Sequence, residues 1–195
     1  MRWSFLACCL AGLASLSVAA EEVSYYPLAE GAEWTMSATI TLPDGKVVET
    51  TGHRKIGAKE ERAGKTYYRV KTWIEEFVSF ETLDREDVDG IHTIDLREKN
   101  PKDALKIPSP LMLGTKWTRD NGKTQISYEL IAIEDVTIDG KTYQSCYKIK
   151  AEAKDGSHSE LAWMAVGLGT IKSDSVWSNG RKLSVTLRDF KNGTP

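Results

Sequence analysis

The chain has little cysteine, few histidines, no block of one charge sign and no second long apolar run. Each shortage removes a class of function. Of three cysteines in 195 residues, Cys8 and Cys9 lie in an apolar N-terminal stretch, which leaves Cys146 alone beyond it. A chain with one thiol forms no internal disulfide, so its fold must be held by its core; a lone cysteine of this kind packs as a small hydrophobe. The histidines, His53, His92 and His158, stand far apart and in no H-x-x-x-H or H-E-x-x-H setting, so no zinc spacing is present. Lys and Arg total 26 against 28 Asp and Glu, with both signs interspersed along the chain. That balance argues against nucleic acid and against an anionic membrane surface as partners. No run after the N-terminus is long and apolar enough for a spanning helix, so no transmembrane segment is expected in the mature chain.

Residues 1–20 read as an export leader. Arg2 supplies a positive charge, "FLACCLAGLASLSV" is an apolar core, and Val18 and Ala20 stand at the small-residue positions of a cleavage site before Glu21-Glu22. The apolar run is shorter than the ~20 residues of a membrane span. Cys8 follows "FLA" in a way that hints at a lipoprotein signal, but it leaves no room for an apolar core before it, which argues against lipid anchoring. The expected location is the periplasm or the exterior. Without Arg2 the balance becomes 25 basic against 28 acidic residues, a net −3.

Nearly every later segment alternates with a period of two. "TMSATITL" places Met36, Ala38, Ile40 and Leu42 on one face, and "ISYELIAI" and "KLSVTLRDF" repeat the pattern. Between such runs stand Asp44-Gly45, Asp89-Gly90, Asn121-Gly122, Asp139-Gly140, Asp155-Gly156 and Asn179-Gly180. These dipeptides tolerate the left-handed backbone of a tight hairpin. "GAKEERAGK" has charged helix formers but lacks an apolar face, so a long hairpin loop explains it as well as a helix, and "EKNPKDALKIPSP" reads as a connector. The expected class is all-β, an antiparallel barrel or strongly curved sheets, with little helix after the leader.

An internal repeat organises the pattern. "PLAEGAEWT" from Pro27 and "PLMLGTKWT" from Pro110 share five of nine positions at an offset of 83. "GKTYYRVKT" from Gly64 and "GKTYQSCYKIKA" from Gly140 follow at 76, and "REDVDGIHTI" and "WMAVGLGTIK" align Gly90 with Gly167 at 77. The order is the same in both halves. Residues 21–195 therefore read as one β domain made of two related units of about 80 residues, about 25–100 and 108–191. Two halves closing on each other could bury both Trp34 and Trp117 and pair their edge strands, which favours a barrel.

"YYPLAEGAEWTM" from Tyr25 and "AWMAVGLGTIK" near the end resemble the "YYPLxxGxxWxY" and "WYAPGVGLVK"-like motifs of a family of bacterial exported domains of unknown function. The resemblance covers most of the mature chain. Met164 replaces a usual aromatic, Val166 a frequent glycine and Met36 the last aromatic of the first motif. The resemblance implies export and a β-rich, barrel-like fold, and it carries no catalytic residue.

No other motif assigns chemistry. Gly167 and Gly169 lack the partners of a Walker A or dinucleotide loop and read as a glycine bend within a strand. "SHSE", Ser157 to Glu160, brings serine, histidine and glutamate together just after Asp155-Gly156, where an exposed hairpin tip is the simpler reading. Glu75-Glu76, Glu86-Asp87 and Glu134-Asp135 are adjacent carboxylates of the kind that solvated strand ends carry, and "IEDVTID" lacks a calcium-loop pattern. Trp34, Trp73, Trp117, Trp163 and Trp177 supply either core or the lining of a cavity. The sequence thus assigns no catalytic, metal or cofactor residue. It points to an exported, non-enzymatic binding or interaction module of the cell envelope, whose partner would be an apolar small molecule or an envelope protein. The alternatives are a hydrolase using scattered carboxylates or His158, and a purely structural envelope subunit.

Overall fold

The computed structural model describes residues 24–25, 27–120 and 122–194; the leader assigned to residues 1–20 lies outside the described residues. Twelve strands follow in order: β1 (Glu33–Thr41), β2 (Val47–Arg62), β3 (Lys65–Ile74), β4 (Val78–Asp87), β5 (Gly90–Asp95), β6 (Ala104–Pro108), β7 (Lys116–Asp120), β8 (Gln125–Ile138), β9 (Lys141–Ala153), β10 (His158–Ala165), β11 (Gly169–Trp177) and β12 (Lys182–Lys191). Every pairing is antiparallel, and the spatial order is β6-β5-β4-β3-β2-β1-β12-β11-β10-β9-β8-β7. The chain is thus a meander whose first and last strands pair, from Glu33–Lys191 to Thr41–Lys182. The free edges, β6 and β7, come together to make a nearly closed all-β barrel. No ladder joins them; instead Trp117 Nε1 donates to the Lys106 carbonyl across the seam at 3.0 Å.

The turn residues act as their chemistry dictates. Asp44, Asp155 and Asn179 each accept the backbone N–H two residues on, at 3.0 Å, which stabilises the bend locally. Five of the six dipeptides lie at hairpin ends; in the sixth, Asn121 lies outside the described residues and Gly122 follows β7. Ala63-Gly64 and Asp139-Gly140, which open the two G-K-T-Y segments, both have positive φ at both residues, 51° and 72°, and 49° and 80°. That is the geometry of a tight type I′ hairpin.

Three expectations are corrected. "GAKEERAGK" is not a loop: β2 runs through it to Arg62, and the turn is only Ala63-Gly64. Its charged side chains are exposed or half-buried on both faces of the strand, and Arg69 on β3 holds Glu60 and, from the far side, Glu81 on β4 at 2.6 and 2.8 Å. The supposed connector contains β6. Gly167 does not bend a strand but sits in the turn between β10 and β11, and Gly169 starts β11 opposite Ala165.

The even-numbered positions of β1 face the lumen, as their alternation requires. At one end, a large cluster including Trp34, Ile56, Val70, Ile91, Trp117, Leu130, Met164, Ile171 and Leu187 fills the barrel. The N-terminal segment caps this end. Gly167 and Gly169 N–H donate to the carbonyls of Ser24 and Tyr25 at 3.1 and 2.9 Å, and the buried Tyr25 hydroxyl accepts from the Leu111 N–H at 2.8 Å. Outward positions such as Glu49, Lys55, Lys71, Lys150, Glu152, Lys182 and Arg188 are exposed and charged, unlike the apolar band that a bilayer-spanning barrel turns to lipid.

Candidate functional site

Above the filled end side chains no longer fill the lumen. A cavity of about 1460 Å³ runs from Trp34 to the opposite rim of the barrel. It exceeds the roughly 300–1,000 Å³ of ordinary small-molecule pockets. One wall is apolar: Ile74, Val78, Leu183 and Val185 line it, packed against Ala38, Ile40, Leu42 and Phe77.

The other walls are polar, with Arg54, Thr72, Arg119, Glu160 and Ser173 among them, and a buried ion pair stands outside the lining. Asp84 on β4 is fully buried, and its carboxylate receives Thr93 Oγ1 at 2.6 Å and Lys106 Nζ at 2.6 Å. Burial lowers the Lys106 pKa, and the neighbouring charges of Arg54 and Arg119 lower it further against the pull of Asp84. Arg54 on β2 donates from Nε to Thr72 Oγ1 at 3.4 Å. Arg119 on β7 lies with its guanidinium 5.9 Å from the Tyr128 ring centroid, and Tyr128 stacks on Trp117 at 5.2 Å. Glu160 on β10 also lines the cavity. Burial pushes its carboxyl above the ordinary range, while Arg54, Arg119 and a hydrogen bond from Ser173 pull it down.

The "SHSE" segment is not an exposed tip. His158 is the first residue of β10 and is half-buried, its ring tilted onto Trp177 at 4.9 Å. His158 and Glu160 are two residues apart on a strand and so share the lumen face; both line the cavity. Burial holds His158 below its ordinary value. Ser157 instead donates its hydroxyl to Asp155 at 2.6 Å, so the three side chains form no nucleophile–base–carboxylate relay.

The remaining candidates are dispersed. His53 stacks on Trp73 at 4.9 Å, and His92 lies 2.8 Å from Asp89 at the filled end. Asp87, Asp89 and His92 are close enough to share an ion, but two of them are exposed acids at a turn. Glu75 and Glu76 are exposed in the β3–β4 turn, and Glu86 and Asp87 end β4. Glu134 pairs with Lys148 at 3.1 Å and accepts from Trp163 Nε1 at 2.7 Å. Trp163 points away from the Glu160 face, between the ammonium groups of Lys148 and Lys172 at 4.9 and 4.5 Å. Cys146 is fully buried, and burial raises its thiol pKa.

Arg54, Arg119, Asp84 and Lys106 drew no attention in the sequence. Arg54 sits in "HRKIGAKEER" among charges that mostly face out. The available signal was its phase: Arg54 shares the face of Gly52 and Ile56, as Arg119 shares that of Trp117.

No family model matches the sequence, and no curated protein is similar to it. Among solved structures, a Bacteroides fragilis protein described as exported, with a YmcC-like fold, aligns over 87% of this chain and 100% of its own, at 13% identity and a TM-score of 0.54. A Parabacteroides distasonis protein described as a lipoprotein aligns over 88% of this chain and 100% of its own, at 13% identity and a TM-score of 0.45. A DUF1329 family protein from Desulfovibrio piger aligns over 84% and 85%, at 10% identity and a TM-score of 0.30. At 13% identity the first likeness shows a shared fold; the other two overlap too loosely to carry an argument. The chain thus shares its barrel with the Bacteroides fragilis protein.

Proposed function

We propose that the chain is an exported, non-enzymatic binding module of the bacterial cell envelope that holds a small molecule with a large apolar part in the open end of its barrel. The observation that carries this reading is the cavity of about 1460 Å³, plugged at one end by core and N-terminal segment and walled on one side by Ile74, Val78, Leu183 and Val185. Concave, partly apolar sites with a few convergent polar groups are where small molecules bind. The leader reading of residues 1–20 supports export, as does the description of the Bacteroides fragilis protein of like fold. In the same proposal the barrel is two related halves, about 25–100 and 108–191. The matching turns at Ala63-Gly64 and Asp139-Gly140 support it, as do the indole bonds of Trp34 to the Leu168 carbonyl and Trp117 to the Lys106 carbonyl.

Native mass spectrometry of protein purified from the periplasm, with uptake of a fluorescent lipid as a second readout, tests the reading. Retained mass or saturable uptake is expected. An apo mass with no uptake would sink it. A hydrolase reading draws on His158 and Glu160 sharing the lumen. Turnover of ester substrates that disappears in His158→Ala would favour it over binding alone.

A further inference from the structure

Several cationic side chains in and around the lumen already hold a carboxylate. Arg97 is clamped by Asp95, with Nε–Oδ1 at 2.9 Å and Nη2–Oδ2 at 2.6 Å. Lys106 is bound to Asp84, and Lys172 lies 3.7 Å from Asp174. Arg54 and Arg119 differ: among the described residues no carboxylate lies within 4 Å of either guanidinium. The two come from opposite parts of the barrel, β2 and β7, yet both act electrostatically on Glu160 and on Lys106. Both line the same cavity, with Glu160 in the same lining.

Glu160 makes ion-pair contact with neither; its partner is the Ser173 hydroxyl. A half-buried guanidinium without a counter-ion is costly in a low-dielectric lumen, and two in one lining create a field suited to an anion. Guanidinium groups bind carboxylate and phosphate oxygens through forked, charge-assisted hydrogen bonds. Around them stand the hydroxyls of Thr72, Ser173 and Ser175, and the apolar wall of Ile74, Val78, Leu183 and Val185 continues toward the rim.

We infer that Arg54 and Arg119 form an anion subsite, and that the ligand is a single-chain amphiphile whose carboxylate or phosphate head lies there while its chain runs along the apolar wall. The inference rests on the binding reading above and specifies the ligand class it left open.

Isothermal titration of the exported, delipidated protein with dodecanoate, dodecyl phosphate and dodecanol separates the two. At least one anion is expected to bind ten times or more tighter than dodecanol. Whichever anion leads identifies the head group. In the Arg54→Gln/Arg119→Gln double variant, the anions should fall to the dodecanol level while dodecanol is unchanged; Arg54→Lys/Arg119→Lys should recover part of the loss. Equal binding of anions and dodecanol by the unaltered protein overturns the anion subsite and leaves the binding reading standing. Failure of all three to bind overturns the binding reading and the subsite with it. The comparison within the unaltered protein decides the matter even if the glutamine variant does not fold.

Discussion

At the residue scale, the lumen contains charges that a barrel of this size could have replaced with apolar packing. The Asp84–Lys106 pair, with Thr93 as a third member, is the most deeply buried. Removing one partner of such a pair leaves the other uncompensated, whereas replacing both by apolar groups of similar volume is often neutral. Asp84→Ala should therefore lose about 3–5 kcal/mol in urea unfolding, and Asp84→Leu/Lys106→Met should recover most of it. Glu160 makes a pH-dependent prediction. Burial holds its carboxyl above the ordinary value of 4.5, so the folded state keeps a proton that the unfolded chain has released. Ionisation consequently destabilises the fold as pH rises from 4.5 toward the raised value, and the penalty is constant above it; below 4.5 both states are protonated and the effect vanishes. Glu160→Gln should raise the Tm at pH 8 and match the unaltered protein at pH 4. A gain of equal size at both values would show that the carboxyl does not titrate as described.

At the element scale, the two ends of the sheet behave differently. β1 and β12 share a full ladder, while β6 and β7 are joined by the Trp117 indole bond to the Lys106 carbonyl. Trp117→Phe keeps an aromatic body in the core but deletes that bond. It should cost about 1 kcal/mol and speed hydrogen exchange in β6 and β7 more than in β1 and β12. Uniform acceleration around the barrel would argue that the seam has no separate weakness. The turns differ as well. At Gly90, where φ is 129°, an added Cβ would stand 2.0 Å from the Ile107 carbonyl oxygen, a backbone atom of the adjacent β6; at Gly180, φ is 86° and nothing lies within 4 Å. Gly180→Ala should cost about 1 kcal/mol in backbone strain alone, whereas Gly90→Ala must also push β6 away and should cost several-fold more in the same denaturant titration.

At the scale of the whole molecule, the barrel is a cup. Its lower half is filled by side chains from both halves of the meander and sealed by Ser24 and Tyr25; its upper half encloses a cavity with an apolar wall and cationic side chains. A ligand that binds only the folded cup should raise stability by about 2.7 kcal/mol at a hundredfold excess over its Kd. A concentration-dependent rise in Tm with dodecanoate or dodecyl phosphate, absent in the double glutamine variant, is the expected outcome. A Tm insensitive to either amphiphile would count against a cup that binds them.

The sequence by itself determined the β class, the hairpin ends and the two tryptophans that seal the barrel, because these are local matters. A period of two selects strand, Asp or Asn before glycine selects a tight turn, and a buried indole needs a partner for its N–H. It misread "GAKEERAGK" because a strand end with charges on both faces leaves no apolar alternation to see, and β6 because a short strand among prolines looks like a connector. The tertiary structure decided which alternating face is filled and which is left open. Arg54, Arg119 and Glu160 occupy phases that read as ordinary strand positions, on β2, β7 and β10. Only the order of twelve strands, closing β1 on β12 and bringing β7 round to β6, brings those three side chains to the lining of one cavity.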